Sequence, residues 1–350
     1  MDRAYAGRRP ADGGRRHSVF RTDRRRAGQP DRCGALGIRP IWGIIGAVPE
    51  ATAMQQTSET PPIVPRPAST VLLLRDGDDG PEVYMLRRHD DSSAFGGVYV
   101  FPGGKLDRAD CEADSLCRVG SALELLHQSL GEPTLDSATA AGLFYAACRE
   151  TFEEARVLLA RGADALAGER AWAMLREGFG FAEVLAAHGH ELAADALLPW
   201  SRWITPRVPS AMARNKRFDT RFFVAALPEG QIAGFDDHEA VAGEWLNPRE
   251  ALRRYRDDRI VLGPPQIMSL VQLAQYRSTL EVLDAARGRT PMLIEPEPFE
   301  IDGMRVVAYP GDERHPLRDR VMVGPTRLIH RGNRFEPLEG IDALLEAAGC

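Results

Sequence analysis

The chain has 350 residues, a formal net charge of −6, 44% hydrophobic residues and 27% charged residues. Such a composition is ordinary for a globular protein and allows one large core or two modest ones. The acidic balance argues against a dedicated nucleic-acid binder, and no apolar run reaches the roughly 18 residues that a membrane-spanning helix needs.

Residues 1–53 hold eleven Arg, five acidic residues and no Lys, with Gly and Pro throughout. A segment like this cannot bury enough apolar surface to offset its ordering entropy. Residues 1–60 therefore read as a disordered or upstream extension, with Met54 as an alternative start. Lys occurs only at Lys105 and Lys216 against 42 Arg, a bias that suggests a GC-rich genome and lowers the functional weight of the Arg surplus. The five cysteines, Cys33, Cys111, Cys117, Cys148 and Cys350, form no CxxC pair and have no His at zinc spacing. Scattered, odd-numbered thiols predict a reducing, cytoplasmic setting.

The pattern changes at Ala68. Thr70-Val71-Leu72-Leu73-Leu74 and Glu82-Val83-Tyr84-Met85-Leu86 predict two strands joined by the turn Gly77-Asp78-Asp79-Gly80. Val98-Tyr99-Val100-Phe101 predicts a third, stopped by Pro102-Gly103-Gly104. Helix is expected over 113–130, more strongly from Ser137 to about Ala160, and in two short pieces within 168–192. Arg217 to Ala226 and Ala240 to Leu246 predict further strands, and Leu262 to Ala286 a loop entering a helix. Short β-like runs return over 291–336, including Met304-Arg305-Val306-Val307-Ala308-Tyr309. Strands interleaved with helices imply an α/β layered domain over 64–288, followed by a small β-rich extension over 289–350.

The chemistry-bearing segment is Arg149-Glu150-Thr151-Phe152-Glu153-Glu154. On a helix, Cys148, Phe152, Ala155 and Leu159 share one apolar stripe, and Glu150, Glu153 and Glu154 lie opposite. Like charges at this spacing repel by a few tenths of a kcal/mol per pair. A divalent cation reverses that penalty, because hard cations such as Mg²⁺ take oxygen ligands. Taken alone, the pattern fits a solvated acidic face better, with Arg149 and Glu153 as an i,i+4 pair, because Arg- and Glu-rich surface helices are common. The turn upstream changes the balance: Phe101-Pro102-Gly103-Gly104-Lys105-Leu106-Asp107, then Asp110, is a strand entering a Gly-rich loop where backbone can approach a ligand closely.

Together these segments resemble the Nudix box, G-x5-E-x7-R-E-U-x-E-E-x-G-U. Gly104 then stands as the box glycine, Asp110 replaces the loop Glu, Arg149 and Glu150 form the RE pair, and Glu153 and Glu154 the EE pair. Three departures stand out. Thirty-eight residues separate Asp110 from Arg149 where the pattern has seven, Asp replaces Glu, and Arg156 occupies the second glycine position. A loop insertion is tolerable because closure cost grows slowly with length. Arg in a left-handed cap costs roughly 1 kcal/mol, so the helix is expected to run on to Leu159. The inserted segment 111–136, Trp203-Ile204-Thr205-Pro206 and Arg217-Phe218-Asp219-Thr220-Arg221-Phe222-Phe223 resemble the peroxisomal acyl-CoA diphosphatase subfamily and its bacterial relatives.

The resemblance implies an α/β/α sandwich with a mixed sheet, and Mg²⁺-dependent (or Mn²⁺-dependent) hydrolysis of a diphosphate bond. CoA or acyl-CoA is the favoured substrate. ADP-ribose or NADH is the enzymatic rival, and a non-catalytic nucleotide-binding module the alternative from another class. The resemblance makes Glu150, Glu153 and Glu154 metal ligands, and Glu154 or Glu239 the general base. Glu239 lies six residues before Trp245 and reads equally well as a solvated loop acid. Arg149 is expected to orient a glutamate, and Gly103, Gly104 and Asp110 to shape the loop. Lys105, Arg217 and Arg221 are phosphate-binding candidates, although alternating Arg on a strand can equally be its solvent face. The partners expected are a small nucleotide substrate and at most a second copy of the chain, with no nucleic acid and no membrane.

Overall fold

The computed structural model describes residues 64–89, 97–207, 217–237 and 240–349. The N-terminal extension with Met54, and also Lys216 and Glu239, lie outside the described residues.

Strands β1 (Arg66–Gly77) and β2 (Gly80–Arg88) form the expected hairpin, with Gly77 paired to Gly80. β3 (Val98–Val100) follows, and then β4 (Gly103–Lys105), which the sequence shows as a turn. It is a short strand antiparallel to β1, with Ser69 opposite Gly104 and Thr70 opposite Gly103. A 3₁₀ turn over Arg108–Cys111 leads to α1 (Ala113–Leu116) and α2 (Leu123–Leu130). The helical stretch expected over 113–130 holds two helices, parted around Gly120, whose φ is +65°. After α3 (Ser137–Ala155) come α4 (Ala165–Arg176) and α5 (Phe181–His188), the two short helices expected. Strands β5 (Leu198–Ile204), β6 (Phe218–Ala226) and β7 (Ala240–Leu246) precede α6 (Pro248–Arg256), the two-residue β8 (Val261–Leu262), α7 (Pro264–Leu273) and α8 (Thr279–Arg287). Where one loop and one helix were expected over 262–286, two helices stand. The chain ends in β9 (Met292–Ile294), β10 (Glu297–Ile301), β11 (Met304–Ala308), β12 (Arg327–Arg331), β13 (Arg334–Glu336) and α9 (Asp342–Ala347).

Nine strands form a mixed sheet in the order β8-β3-β2-β1-β6-β5-β9, with β4 also on β1 and β7 also on β2. β1 is central and parallel to β6, with Thr70 opposite Phe222. Its continuous apolar run is explained by burial on both faces. Leu72 and Leu74 face a core with Met85, Trp200, Leu252, Leu270 and Val282, so α6, α7 and α8 cover that side. Val71 and Leu73 face Phe144, Phe152, Phe181 and Phe223, so α2, α3 and α5 cover the other. This is an α/β/α sandwich. A second sheet, β10-β11-β12-β13, is antiparallel, and its Leu328 joins the first core beside Tyr309 and Leu344.

Helix α3 positions the glutamates. Asp136 caps its start, accepting a 2.8 Å bond from the Thr139 N–H, and these bonds to amide hydrogens hold the Asp136 carboxyl below its usual range. The helix ends at Ala155, with Arg156 left-handed at φ 60°, so the expected continuation to Leu159 is wrong. Tertiary bonds explain the stop. The Gly234 N–H donates to the Ala155 carbonyl at 2.9 Å and the Asp236 N–H to that of Glu154 at 3.3 Å. The Gln231 side chain then brackets Leu158, accepting from its N–H at 2.8 Å and donating to its carbonyl at 2.9 Å. Val157 and Leu158 are fully buried off the helix axis, a gain that exceeds the roughly 1 kcal/mol of a left-handed Arg.

Candidate active site

The interrupted motif closes in space. Arg149 Nε donates to Asp110 Oδ1 at 2.8 Å and Nη2 to Oδ2 at 2.9 Å, a fork across 39 residues of separation. Its Nη1 reaches Glu150 Oε1 at 2.9 Å and Glu153 Oε2 at 2.8 Å, and Nη2 reaches the Lys105 carbonyl at 3.2 Å. Burial opposes the charge on Arg149, but the Asp110 bonds and the charges of Glu150, Asp110 and Glu153 outweigh it and raise the guanidinium pKa. Arg149 is thus the hub that ties loop to helix.

Asp110 is 1% exposed and is fixed from its own side as well. Its Oδ2 accepts from the Asp107 N–H at 2.8 Å, while its N–H donates to the Asp107 carbonyl at 3.1 Å. Sequence reading missed Asp107, although Asp107-x-x-Asp110 is a capping-box spacing that could have found it. Asp110 spends both oxygens on this scaffold, which accounts for a shorter carboxylate in that place.

The glycine loop meets the helix at two points. The Gly103 N–H donates to Glu154 Oε2 at 2.8 Å. Gly104 lies against Glu150, and a Cβ there would fall well inside van der Waals contact of that carboxyl group. Gly103 has φ +154°, and a Cβ on it would strike the Ser69 carbonyl and the Thr70 Cα of β1. Both glycines are therefore needed for loop, strand and carboxylates to pack together. Glu154 is 8% exposed, whereas the Glu153 side chain, at 34%, is the most open of the three.

No group of three or more His, Cys, Asp or Glu stands ready-gathered as a metal cage among the described residues. The donor set nonetheless fits a hard divalent cation. Three carboxylates sit on one rigid helix, a glycine leaves room where a side chain would intrude on Glu150, and no soft ligand stands among these donors. Gly104→Ala is expected to keep the fold, because the clashing group is the mobile end of a side chain, and to displace Glu150. Turnover should fall on the order of 10²-fold, the scale of a 1 Å misplacement, with an unchanged melting curve by circular dichroism. Undiminished turnover would show that the Glu150–loop contact is dispensable.

The phosphate-binding candidates fall in different places. Lys105 is exposed at the end of β4, its Nζ 3.9 Å from Asp107. Arg221 is 3% exposed and Arg217 7%, so neither lies on a solvent face. Arg221 forks onto Glu132 at 2.9 and 2.5 Å. Arg202 joins the same group, pairing with Glu132 at 2.8 Å and Asp219 at 2.7 Å. Arg217 donates to the Thr205 carbonyl at 2.9 Å and pairs with Glu295 at 3.1 Å. Glu132 belongs to the inserted segment, and no spacing rule could have linked it to Arg221. Trp245 packs on Tyr84 at 5.1 Å between ring centroids, with the Arg75 guanidinium 4.5 Å over its ring. Its role here is packing on β2.

The chain is similar to known proteins over most of its length. A family model described as the NUDT19 Nudix domain matches residues 66–273. A relative in Xenopus laevis named acyl-coenzyme A diphosphatase NUDT19 is 26% identical over 315 residues, covering 75% of this chain and 81% of that protein. The Homo sapiens protein of the same name is 30% identical over 301 residues, covering 73% of this chain and 75% of its own length. A solved Nudix hydrolase from Alicyclobacillus acidocaldarius aligns at 24% identity with a TM-score of 0.47, covering 65% of this chain and 98% of that one. The chain belongs to the Nudix hydrolase family, in the branch described by the NUDT19 Nudix domain.

Proposed function

We propose that the protein hydrolyses the diphosphate bond of CoA or an acyl-CoA, giving 3′,5′-ADP and (acyl-)4′-phosphopantetheine. The observation that carries the reading is the closure of the interrupted motif through the Arg149–Asp110 fork, which sets the glycine loop against Glu150 and Glu154. The relatives named acyl-coenzyme A diphosphatase support the choice of substrate.

A diphosphate carries spread negative charge that repels an incoming nucleophile. Glu150, Glu153 and Glu154 would hold Mg²⁺ or Mn²⁺, which when bound neutralises phosphate charge and makes water more acidic. Glu154 accepts the proton of the attacking water. Glu239, the other candidate for this role, lies outside the described residues. The water oxygen bonds to one phosphorus, and the bridging oxygen departs with the bonding pair on the other phosphate. Arg149 holds Glu150 and Glu153 in place from behind. Lys105, at the mouth of the loop, is the residue proposed to meet a phosphate oxygen. Arg217 and Arg221 could do so only by releasing Glu295 and Glu132.

Stripping divalent ions with EDTA should abolish CoA turnover, and added Mg²⁺ should restore it; turnover that survives the chelator would remove the metal from this reading. Among the described residues no helix is long and apolar enough to cross a membrane. The free Cys111, Cys117 and Cys148 support a reducing, cytoplasmic setting as part of the proposal.

A further inference from the structure

A second cavity opens at the end of the glutamate helix. It encloses about 470 Å³ and is lined by Arg156, Trp172, Leu175, Arg176, Asp236 and Asp237. Arg156 follows Glu154 by two residues in the chain, and the N–H of Asp236, another lining residue, donates to the Glu154 carbonyl at 3.3 Å. Of the motif positions only Arg156, in the place of the second glycine, lines it.

Its walls combine an aromatic ring with two cations. Trp172 stands edge-on to Phe152 of α3, with ring centroids 5.8 Å apart, which fixes the indole. The Arg156 guanidinium lies 4.8 Å over the ring face, and its outer face is a flat cationic surface on which a base can stack. Among the described residues neither Arg156 nor Arg176 forms an ion pair, whereas Arg149, Arg202, Arg217, Arg221 and Arg327 all do. Arg156 is also held left-handed at φ 60°, in the place where the family pattern has glycine. A strained residue kept where glycine would fit without strain points to a use for its side chain. Asp237 adds an acceptor to the same cavity, suited to an exocyclic amino group.

We propose that this pocket holds the 3′-phosphorylated adenosine end of the substrate, with the base on the Arg156–Trp172 stack and the 3′-phosphate between Arg156 and Arg176. The inference rests on the CoA reading and deepens it. Arg156 and Arg176 become the residues that separate a 3′-phosphorylated nucleotide from one lacking that group. Charge-assisted bonds to a phosphate dianion are among the stronger contacts a guanidinium makes.

The test uses two measurements on the full chain, with Arg156→Gly, which suits the left-handed cap, and Arg176→Ala. In the first, equilibrium dialysis compares 3′,5′-ADP with 5′-AMP. Wild type should bind 3′,5′-ADP at least tenfold more tightly, and each variant should lose most of that preference. Equal binding of the two nucleotides by wild type, or a preference untouched by both substitutions, would overturn the pocket. In the second, kcat/KM is compared for CoA and 3′-dephospho-CoA. Arg176→Ala should lose turnover of CoA through KM and keep that of dephospho-CoA, whereas Arg156→Gly, which also removes the platform under the base, should raise KM for both and more for CoA. Wild type that binds 3′,5′-ADP through Arg176 but leaves CoA intact would retain the pocket and refute CoA hydrolysis. Wild type that cleaves CoA with a CoA-to-dephospho-CoA ratio unchanged in both variants would do the reverse.

Discussion

Replacing Glu154 by Gln is expected to lower turnover by about 10²–10⁴-fold, the range for removing a positioned general base, with little change in stability. Glu154 is the carboxylate most closely engaged with the loop. It is 8% exposed and accepts the Gly103 N–H at 2.8 Å. Glutamine can accept that same hydrogen bond through its amide oxygen, so the loop stays anchored. The substitution removes the negative charge and the ability to take a proton at pH 7. Steady-state kinetics with the melting temperature measured alongside checks the claim. Turnover within twofold of wild type at an unchanged melting temperature would exclude Glu154 from the proton transfer and from an essential place at the metal.

The second large effect is on stability. Asp110→Ala leaves Arg149, whose side chain is 12% exposed, without its forked partner and the Asp107 N–H without its carboxylate acceptor. Breaking a buried pair by removing one member costs about 3–5 kcal/mol, which at a few degrees per kcal/mol is a fall in Tm on the order of 10 °C. Activity should fall too, because Arg149 orients Glu150 and Glu153 from the position that Asp110 sets. Arg149→Lys should not restore either property, since an ammonium cannot make the planar fork onto Asp110 while reaching two glutamates. Thermal melting of the three proteins tests this. A loss below about 1 kcal/mol for Asp110→Ala would mean that the fork is not what joins loop to helix.

Much of the scaffold was legible because one physical signal dominated each piece. Thr70 to Leu74 shows the apolar run of a strand buried on both faces, and β1 is central. The stripe of Cys148, Phe152 and Ala155 is buried as its helical spacing requires. The site was legible for a related reason: Gly104, Asp110, Arg149 and the glutamates belong to one pattern, and the 38-residue gap lies where chain can be inserted without moving either end. What escaped notice depended on contacts between distant segments. β4 is held to β1 by backbone pairing, and its two glycines carry no side-chain alternation to announce a strand. Local backbone cost alone predicts a helix that continues through Arg156, and the bonds from Gly234, Asp236 and Gln231 decide otherwise. Arg217 and Arg221 alternate as a solvent face would, but Glu295 and Glu132 come from elsewhere in the chain and bury them. The Trp172 cavity joins α3, α4 and the 231–237 loop, and no single segment carries its pattern.

The glycine loop and the glutamate helix are proposed to cleave the diphosphate of CoA. The most direct measurement is a competition in one vessel, with purified protein, Mg²⁺ and equimolar CoA and ADP-ribose, and the products separated by chromatography. CoA should be consumed first, with 3′,5′-ADP and 4′-phosphopantetheine appearing in equal amounts. Rapid release of AMP and ribose 5-phosphate from ADP-ribose, with CoA left intact, would contradict it.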